Sequence, residues 1–260
     1  MQKLSYNLWF GKFNGEVEVS KDLKQSFKSA RNDAPLQFNV SEIGLKIFGN
    51  NYYNILRKIA IDVAEEKVEK ELKSDDKYVI ALVKALEQLD EAINALKEKK
   101  EDLELVRETE IQEEFANTLE KLERLRLRIE DEIASVMEKI APNLTEIAGV
   151  KIGAKLIERF GSLENLAKAP ASKIQIIGAE RSLYRALAKI RKGKEAKVPK
   201  HGIIFAHGFI RNLPKHKRGK MARFLAAKIS IASKIDFFRG ELEEGLYESL
   251  KNRFERLRRA

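Results

Sequence analysis

A repeating spacing of apolar residues in the middle of the chain limits its fold more than any other feature. Between residues 79 and 96, apolar side chains recur at alternating intervals of three and four residues, namely Val79, Leu82, Leu86, Leu89, Ile93 and Leu96. This spacing is the seam of a left-handed coiled coil. A second apolar stripe runs from Ile111 to Ile140 and stops before Pro142. The two stripes predict an antiparallel helical hairpin over residues 75–141.

The apolar seam of this hairpin has two possible partners. It closes entirely within the hairpin, or it leaves apolar surface for a second copy of the chain. The spacing alone favours neither arrangement. The turn between the two stripes, from Lys99 to Glu110, is short.

Charge divides the chain into the same three parts. Residues 1–64 carry nine basic and six acidic side chains, residues 65–140 carry 14 and 23, and residues 141–260 carry 27 and 11. Between Ala196 and Ile235 there are ten Lys or Arg residues and no Asp or Glu. Such a stretch is typical of a surface that binds the phosphates of a nucleic acid, although a solvated basic face has the same composition.

The first 74 residues predict a small α/β domain. Short strand-like runs flank Asn14-Gly15, a dipeptide typical of β-hairpins, and Ile55, Ile59 and Val63 follow at helical spacing. Trp9 is expected either in the core of this domain or on a partner surface. The absence of cysteine and of a long apolar run predicts a soluble intracellular protein without disulfides and without membrane contact.

The last 119 residues, 142–260, predict an all-helical domain. Gly149, Gly153 and Gly161 are expected to separate short helices, and Ser162 to cap another. A longer helix is predicted from Gly219 to Phe237. Its core-facing stripe would contain Met221, Leu225, Ile229 and Ala232.

The segment from Pro170 to Leu187 is the most informative motif. It reads PASKIQIIGAERSLYRAL and places Gly178-Ala179 before a helix on which Arg181, Arg185 and Lys189 are spaced by four residues. Such a row can follow a phosphate backbone, and an exposed helix N-terminus offers amide donors to an anion. The same spacing also occurs on amphipathic helices whose basic face is simply solvated.

This segment resembles the GAEKALFRAL signature of the Nop domain family. The resemblance continues in order through further blocks, which are APNL at 141–144, FGSL at 160–163, PKHG at 199–202, RGKMAR at 218–223 and KIDFF at 234–238. The order of α/β domain, coiled coil and helical domain matches the archaeal member of the family, the core protein of box C/D guide RNPs. In some members a stacking histidine follows an Ile-Tyr pair, whereas here Ala206 follows Ile204-Phe205. Many members also carry a longer hairpin tip and a Lys-rich tail.

The resemblance implies a mainly α, three-part scaffold. Residues 1–74 would bind fibrillarin, the methyltransferase. Residues 75–141 would form a homodimer through a coiled coil, with Leu86, Leu89, Ile93, Leu96, Leu122, Leu125 and Ile129 at the contact. Residues 142–260 would form the Nop domain and bind a kink-turn box C/D guide RNA already held by a ribosomal-type kink-turn protein. The particle would carry out guide-directed RNA 2′-O-methylation in the cytoplasm of an archaeal cell.

The resemblance also assigns the binding residues. The turn and helix at Gln175, Gly178, Ala179, Glu180, Arg181, Tyr184, Arg185 and Lys189 would face the RNA–protein surface. Lys200, His201, Arg218, Gly219, Lys220 and Arg223 would meet the RNA and its bound protein. S-adenosylmethionine would be held by fibrillarin, so this chain is expected to be non-catalytic and to need no cofactor of its own.

The residues offer no independent sign of catalysis. The chain lacks a phosphate-binding P-loop, a dinucleotide-binding glycine motif, a zinc-protease motif and a cysteine nucleophile. The three histidines, His201, His207 and His216, lie in a basic stretch without carboxylates, so they are interpreted as surface histidines rather than as metal ligands.

Two other functions are compatible with parts of the pattern. Residues 144–163 resemble a helix-hairpin-helix element of DNA repair proteins, but Gly149 and Gly153 lie four residues apart instead of the usual two. A DNA-binding module would also leave the segment from Gly178 to Arg185 unexplained. A purely structural coiled-coil adaptor with a basic end is the other alternative, and it predicts no assembly that depends on RNA.

Overall fold

The computed structural model describes residues 5–32, 35–36, 38–106 and 110–259. Contacts divide the chain into two compact units, Met1–Lys73 and Ser74–Ala260. The mainly helical fold with a small N-terminal α/β part is confirmed. None of the described helices combines the length and the apolar character needed to cross a lipid bilayer.

The first unit begins with a three-stranded antiparallel sheet. Its strands, β1 (Tyr6–Leu8), β2 (Gly11–Phe13) and β3 (Val17–Val19), lie in sequence order. Phe13 pairs with Val17, so the predicted hairpin turn at Asn14-Gly15 is confirmed. Three helices follow: α1 (Leu23–Ser29), α2 (Val40–Phe48) and α3 (Tyr52–Leu72).

The core of the first unit is aromatic. Trp9 is 8% exposed, stacks on Phe48 with ring centroids 5.9 Å apart, and donates its indole N–H to the Tyr52 hydroxyl at 3.2 Å. Ile59 and Val63 of α3 are buried beneath it, as the helical spacing predicts. Of the two positions expected for Trp9, the core is therefore the one that it occupies.

The second unit begins with the predicted antiparallel hairpin, formed by α4 (Asp75–Val106) and α5 (Ile111–Ile140). Val79, Val83, Ile133 and Met137 are buried at the end that joins the remaining helices, which we call the hairpin base. The predicted turn from Lys99 to Glu110 includes residues 107–109, which lie outside the described residues.

The predicted dimer contacts differ in how much surface they leave free. Ile93 is buried inside the hairpin, and Leu125 is 45% exposed. The other five, Leu86, Leu89, Leu96, Leu122 and Ile129, are half-buried. Most of this seam is therefore covered by the opposite helix of the same hairpin.

The remaining chain forms eight helices within the described residues. They are α6 (Pro142–Ala148), α7 (Val150–Phe160), α8 (Leu163–Lys168), α9 (Ala171–Ile176), α10 (Glu180–Arg191), α11 (Gly208–Arg211), α12 (Lys215–Phe238) and α13 (Leu246–Arg259). The long helix α12 is central, and it packs against α6, α8, α9 and α13. Its predicted core stripe is confirmed, because Met221, Leu225, Ile229 and Ala232 are fully buried.

Local sequence explains several of the helix ends. Pro142 occupies the first turn of α6, where its missing N–H leaves no intrahelical bond unmade. Gly161 ends α7 in the left-handed conformation, with φ of 80°. Ser162 caps α8 by accepting the Asn165 N–H at 3.0 Å, as predicted. Gly149 separates α6 from α7, but Gly153 lies inside α7, so its predicted role as a helix separator is wrong.

Candidate nucleic-acid interface

The turn between α9 and α10 is shaped by Gly178. Its φ of 85° lies in the left-handed region that favours glycine, and a Cβ atom there would lie 2.7 Å from Ile203 Cγ1. The Gly178 N–H donates to Glu180 Oε1 at 2.7 Å. Glu180 therefore stabilises the turn before its own helix, so its carboxylate has an intramolecular partner in addition to the predicted surface role.

A second segment, residues 199–203, is pinned against this turn by backbone hydrogen bonds. Gly202 N–H donates to the Gln175 carbonyl at 2.9 Å, and Ile203 N–H donates to the Ile177 carbonyl at 2.8 Å. A Cβ atom on Gly202 would lie 1.8 Å from the Ile177 carbonyl oxygen, so this approach requires glycine. Two of the sequence blocks that carry the Nop resemblance are thus in direct backbone contact.

Gln175 and Gly219 fix the position of Lys200. The Gln175 side-chain amide donates to the Lys200 carbonyl at 2.7 Å. On its other side, the aliphatic stem of Lys200 lies over Gly219, where an added Cβ would be 3.3 Å from Lys200 Cδ. The Lys200 ammonium is held at the surface between α9 and α12, because its backbone and its stem are both anchored.

His201, Phe205 and Arg218 form a layered cluster beside Lys200. The His201 imidazole stacks on the Phe205 ring with centroids 4.3 Å apart and planes at 14°. The Arg218 guanidinium carbon lies 5.5 Å from the same ring centroid, and its Nε donates to the Leu213 carbonyl at 2.8 Å. Burial lowers the pKa of His201, and the charges of Arg218 and Lys200 lower it further. His201 is therefore a neutral ring at neutral pH.

Helix α10 carries the predicted basic row on an exposed face. Arg181, Arg185 and Lys189 are all exposed, and the Tyr184 ring beside them is 68% exposed. Ala186 is the one fully buried residue of the helix. The row is therefore presented to solvent, and only the Gly178 end of the helix is tied to the segments described above.

Two further predicted cations, Lys220 and Arg223, are exposed on the first turns of α12, after Arg218 and Gly219. We refer to the six residues Gln175, Gly178, Lys200, His201, Arg218 and Gly219, with the exposed row of α10 and these two cations, as the cationic surface. Within the described residues, none of its Lys or Arg side chains forms an ion pair with a carboxylate. Such unneutralised cations match the phosphates of a nucleic acid.

Sequence reasoning missed two roles in this region. Phe205 is the platform on which His201 and Arg218 meet, although its spacing of four residues from His201 was a usable signal. His207, one position after Ala206, is an N-cap: its Nδ1 accepts the Phe209 N–H of α11 at 3.2 Å. Burial lowers the pKa of His207, and a hydrogen bond with the Ile147 backbone partly opposes this shift.

The geometry does not support the helix-hairpin-helix alternative. Gly153 lies inside α7 and faces the core, where an added Cβ would be 2.9 Å from Met137 Cε. It cannot present a backbone amide to duplex phosphate from that position. No cluster of His, Asp and Glu suited to a metal ion occurs within the described ranges.

A family comparison settles the ancestry of the chain. The family described as Nop, "snoRNA binding domain, fibrillarin", matches residues 47–256. The chain belongs to the Nop family. The matched range covers the hairpin and every residue of the cationic surface.

Individual Nop relatives agree with this membership. A NOP5 family protein of Methanocaldococcus jannaschii is 43% identical over 145 residues, which are 56% of this chain and 34% of that protein. Nucleolar protein 56 of Saccharomyces cerevisiae is 40% identical over 141 residues, 54% of this chain and 27% of that protein. The chain thus spans about a third or less of the length of these curated relatives.

A solved Nop structure matches the chain along its whole length. It comes from the crystal structure of a fibrillarin/Nop5p complex and is 55% identical, with a TM-score of 0.61. The match covers 98% of this chain and 100% of the solved one. The N-terminal unit, which lies mostly outside the family match, therefore has a counterpart in that structure.

Proposed function

We propose that the chain is a non-catalytic scaffold of a box C/D guide RNP. Its N-terminal unit binds fibrillarin, and its cationic surface binds a kink-turn RNA together with the ribosomal-type protein already on that RNA. Fibrillarin, with its S-adenosylmethionine, supplies the 2′-O-methylation chemistry. Two copies associate through the hairpin.

One observation carries this proposal. Segments that are up to 48 residues apart, from Gln175 to Arg223, are locked together by backbone hydrogen bonds into one surface with unneutralised cations. A rigid surface of this kind can recognise a defined arrangement of phosphates and protein, whereas a flexible basic tail would bind any polyanion. Family membership and the match to a chain crystallised with fibrillarin support the same assignment.

Reconstitution tests the proposal directly. The full chain is mixed with fibrillarin, a kink-turn RNA and the protein that first binds that RNA, and the mass of the particle is determined by light scattering. We expect a particle that contains all four components, with two copies of the chain. A chain that binds fibrillarin but never joins the RNA–protein pair would contradict the proposed role. An equal preference for plain DNA duplex would favour the DNA-binding alternative.

A further inference from the structure

A groove between the second half of α12 and the start of α13 leaves apolar surface open to solvent. It has a volume of about 400 Å³ and lies on the face of α12 beyond Arg223. Phe238 is 66% exposed there, and Leu242, in the loop between the two helices, is 61% exposed. The groove is lined by the apolar residues Ile231, Ile235, Phe238 and Leu246, by the cations Lys234 and Arg239, and by Glu243. An exposed apolar patch with a basic rim is typical of a protein-binding surface.

The far end of the hairpin has the complementary chemistry. Leu105 and Val106, the last residues of α4, are 87% and 85% exposed, and Ile111 at the start of α5 is 56% exposed. We call these three residues the hairpin tip. Residues 98–114 contain eight acidic and three basic side chains. The tip is therefore apolar and surrounded by negative charge, whereas the groove is apolar and has a positive rim.

The tip cannot reach the groove of its own chain. Asp236, near the end of α12, hydrogen-bonds Asn143, which lies three residues after the end of α5. The groove is therefore near the hairpin base. Val106 is 31 residues along α4 from Asp75, which corresponds to about 45 Å of helix. Only another molecule can bring a tip to this groove.

We propose that the hairpin tip of one copy docks in the α12–α13 groove of a second copy, and that the second copy does the same in return. Two hairpins that lie antiparallel place each tip at the base of the other, so a two-fold axis produces both contacts at once. Leu105 and Val106 pack on Phe238 and Ile231, and the acidic flanks face Lys234 and Arg239. This inference rests on the homodimer of the proposed function and assigns it a contact outside the coiled-coil seam.

The absence of cysteine from the chain makes a direct test possible. Single variants Val106→Cys and Phe238→Cys are mixed, allowed to exchange partners and treated with a short bismaleimide. We expect a cross-linked heterodimer on a denaturing gel. Val106→Cys mixed with Ser182→Cys is the matched control, because Ser182 is equally accessible on α10 and should give no such product. A dominant link between two Val106→Cys copies, or equal yields in both mixtures, would overturn the proposal.

Charge reversal provides a second and independent test. Lys234→Glu with Arg239→Glu should weaken dimerisation at least tenfold in sedimentation experiments, and mixing with a Glu113→Lys, Glu114→Lys copy should restore most of the loss. Unchanged dimerisation, or no restoration in the mixture, would overturn the inference. Thermal unfolding checks that each variant folds. Binding of fibrillarin and of the RNA–protein pair is measured per copy. That binding should persist in the variants, so its loss in the parent chain indicates failure of the proposed function instead.

Discussion

Asp236 and Asn143, which are 93 residues apart in the sequence, form a buried hydrogen-bonded pair that joins α12 to the start of α6. Asp236 Oδ1 accepts from the Asn143 backbone N–H at 3.0 Å and from its side-chain amide at 2.7 Å, while Oδ2 accepts from the Leu144 N–H at 2.8 Å. The Asn143 amide also donates to the Glu241 carbonyl at 2.7 Å, and its oxygen accepts the Glu243 N–H at 2.7 Å. Burial raises the pKa of Asp236, although its hydrogen bonds oppose the shift.

Removing this carboxylate should destabilise the second unit. Asp236→Ala leaves two backbone N–H groups and an amide without their acceptor inside the fold, and each buried unsatisfied donor costs about 1–3 kcal/mol. We expect the free energy of unfolding in urea to fall by roughly 2–4 kcal/mol. Lys234→Ala, an exposed position on the same helix, is the control and should change it by less than about 0.5 kcal/mol. A loss as small as that of the control would mean that the pair is not important for stability.

The close approach at Gly202 should be essential for the cationic surface. Gly202→Ala forces a Cβ atom against the Ile177 carbonyl, so the two backbone bonds to residues 175 and 177 cannot both persist. We expect at least a tenfold loss of affinity for the RNA–protein pair. Gly208→Ala is the matched control, because the nearest atom to its Cβ would be Asn212 Nδ2 at 4.0 Å. Equal affinities of the two variants would show that this geometry is unimportant.

The cap at His207 should make stability depend on pH. The folded state lowers the pKa of His207 below its ordinary value of 6.5, so the neutral ring stabilises the fold fully above that pH and this contribution is lost as the pH falls. Protonation also removes the Nδ1 acceptor for the Phe209 N–H.

His207→Asn keeps a capping side chain but does not titrate in this range. Between pH 7 and pH 5, we expect the melting temperature of the variant to fall less than that of the parent chain. His216→Asn, at an exposed position, should leave the parent slope unchanged. Parallel slopes for all three proteins would exclude His207 as the titrating group.

The basic row on α10 should contribute through counterion release. Each phosphate contact that is lost lowers the slope of log K against log salt by about 0.7–0.9. Arg181→Ala with Arg185→Ala should therefore reduce that slope by roughly 1.4–1.8 for the RNA–protein pair, and leave fibrillarin binding intact. The control variant Lys251→Ala with Arg256→Ala removes the same charge from exposed positions on α13. A similar loss of slope in the control would indicate a diffuse charge effect.

Much of the fold was predictable because it depends on local periodicity. The spacing from Val79 to Leu96 predicted the hairpin, and the stripe on α12 predicted the central core helix, since both patterns record which face of a helix is buried. The Asn14-Gly15 turn was equally local. The role of Gly153 was not predictable, because a glycine required by close packing looks the same in sequence as one that ends a helix.

The candidate site was predictable in its residues but not in its construction. Resemblance to the Nop family indicated Gln175, Lys200 and Arg218 as surface residues. That Gln175 holds the Lys200 carbonyl, or that Phe205 lies between His201 and Arg218, depends on contacts between segments distant in the sequence. No pattern within a single helix contains that information. The pairing of Asn143 with Asp236 was inaccessible for the same reason.

Binding of the full chain to a preformed pair of kink-turn RNA and its primary protein tests the central claim most directly. Dissociation constants are measured at one fixed salt concentration for this pair, for the RNA alone and for a DNA duplex of equal length. We predict that the pair binds at least tenfold more tightly than either nucleic acid alone, since the rigid cationic surface would contact both components. Equal affinity for the three, or no binding to the pair, would contradict the account.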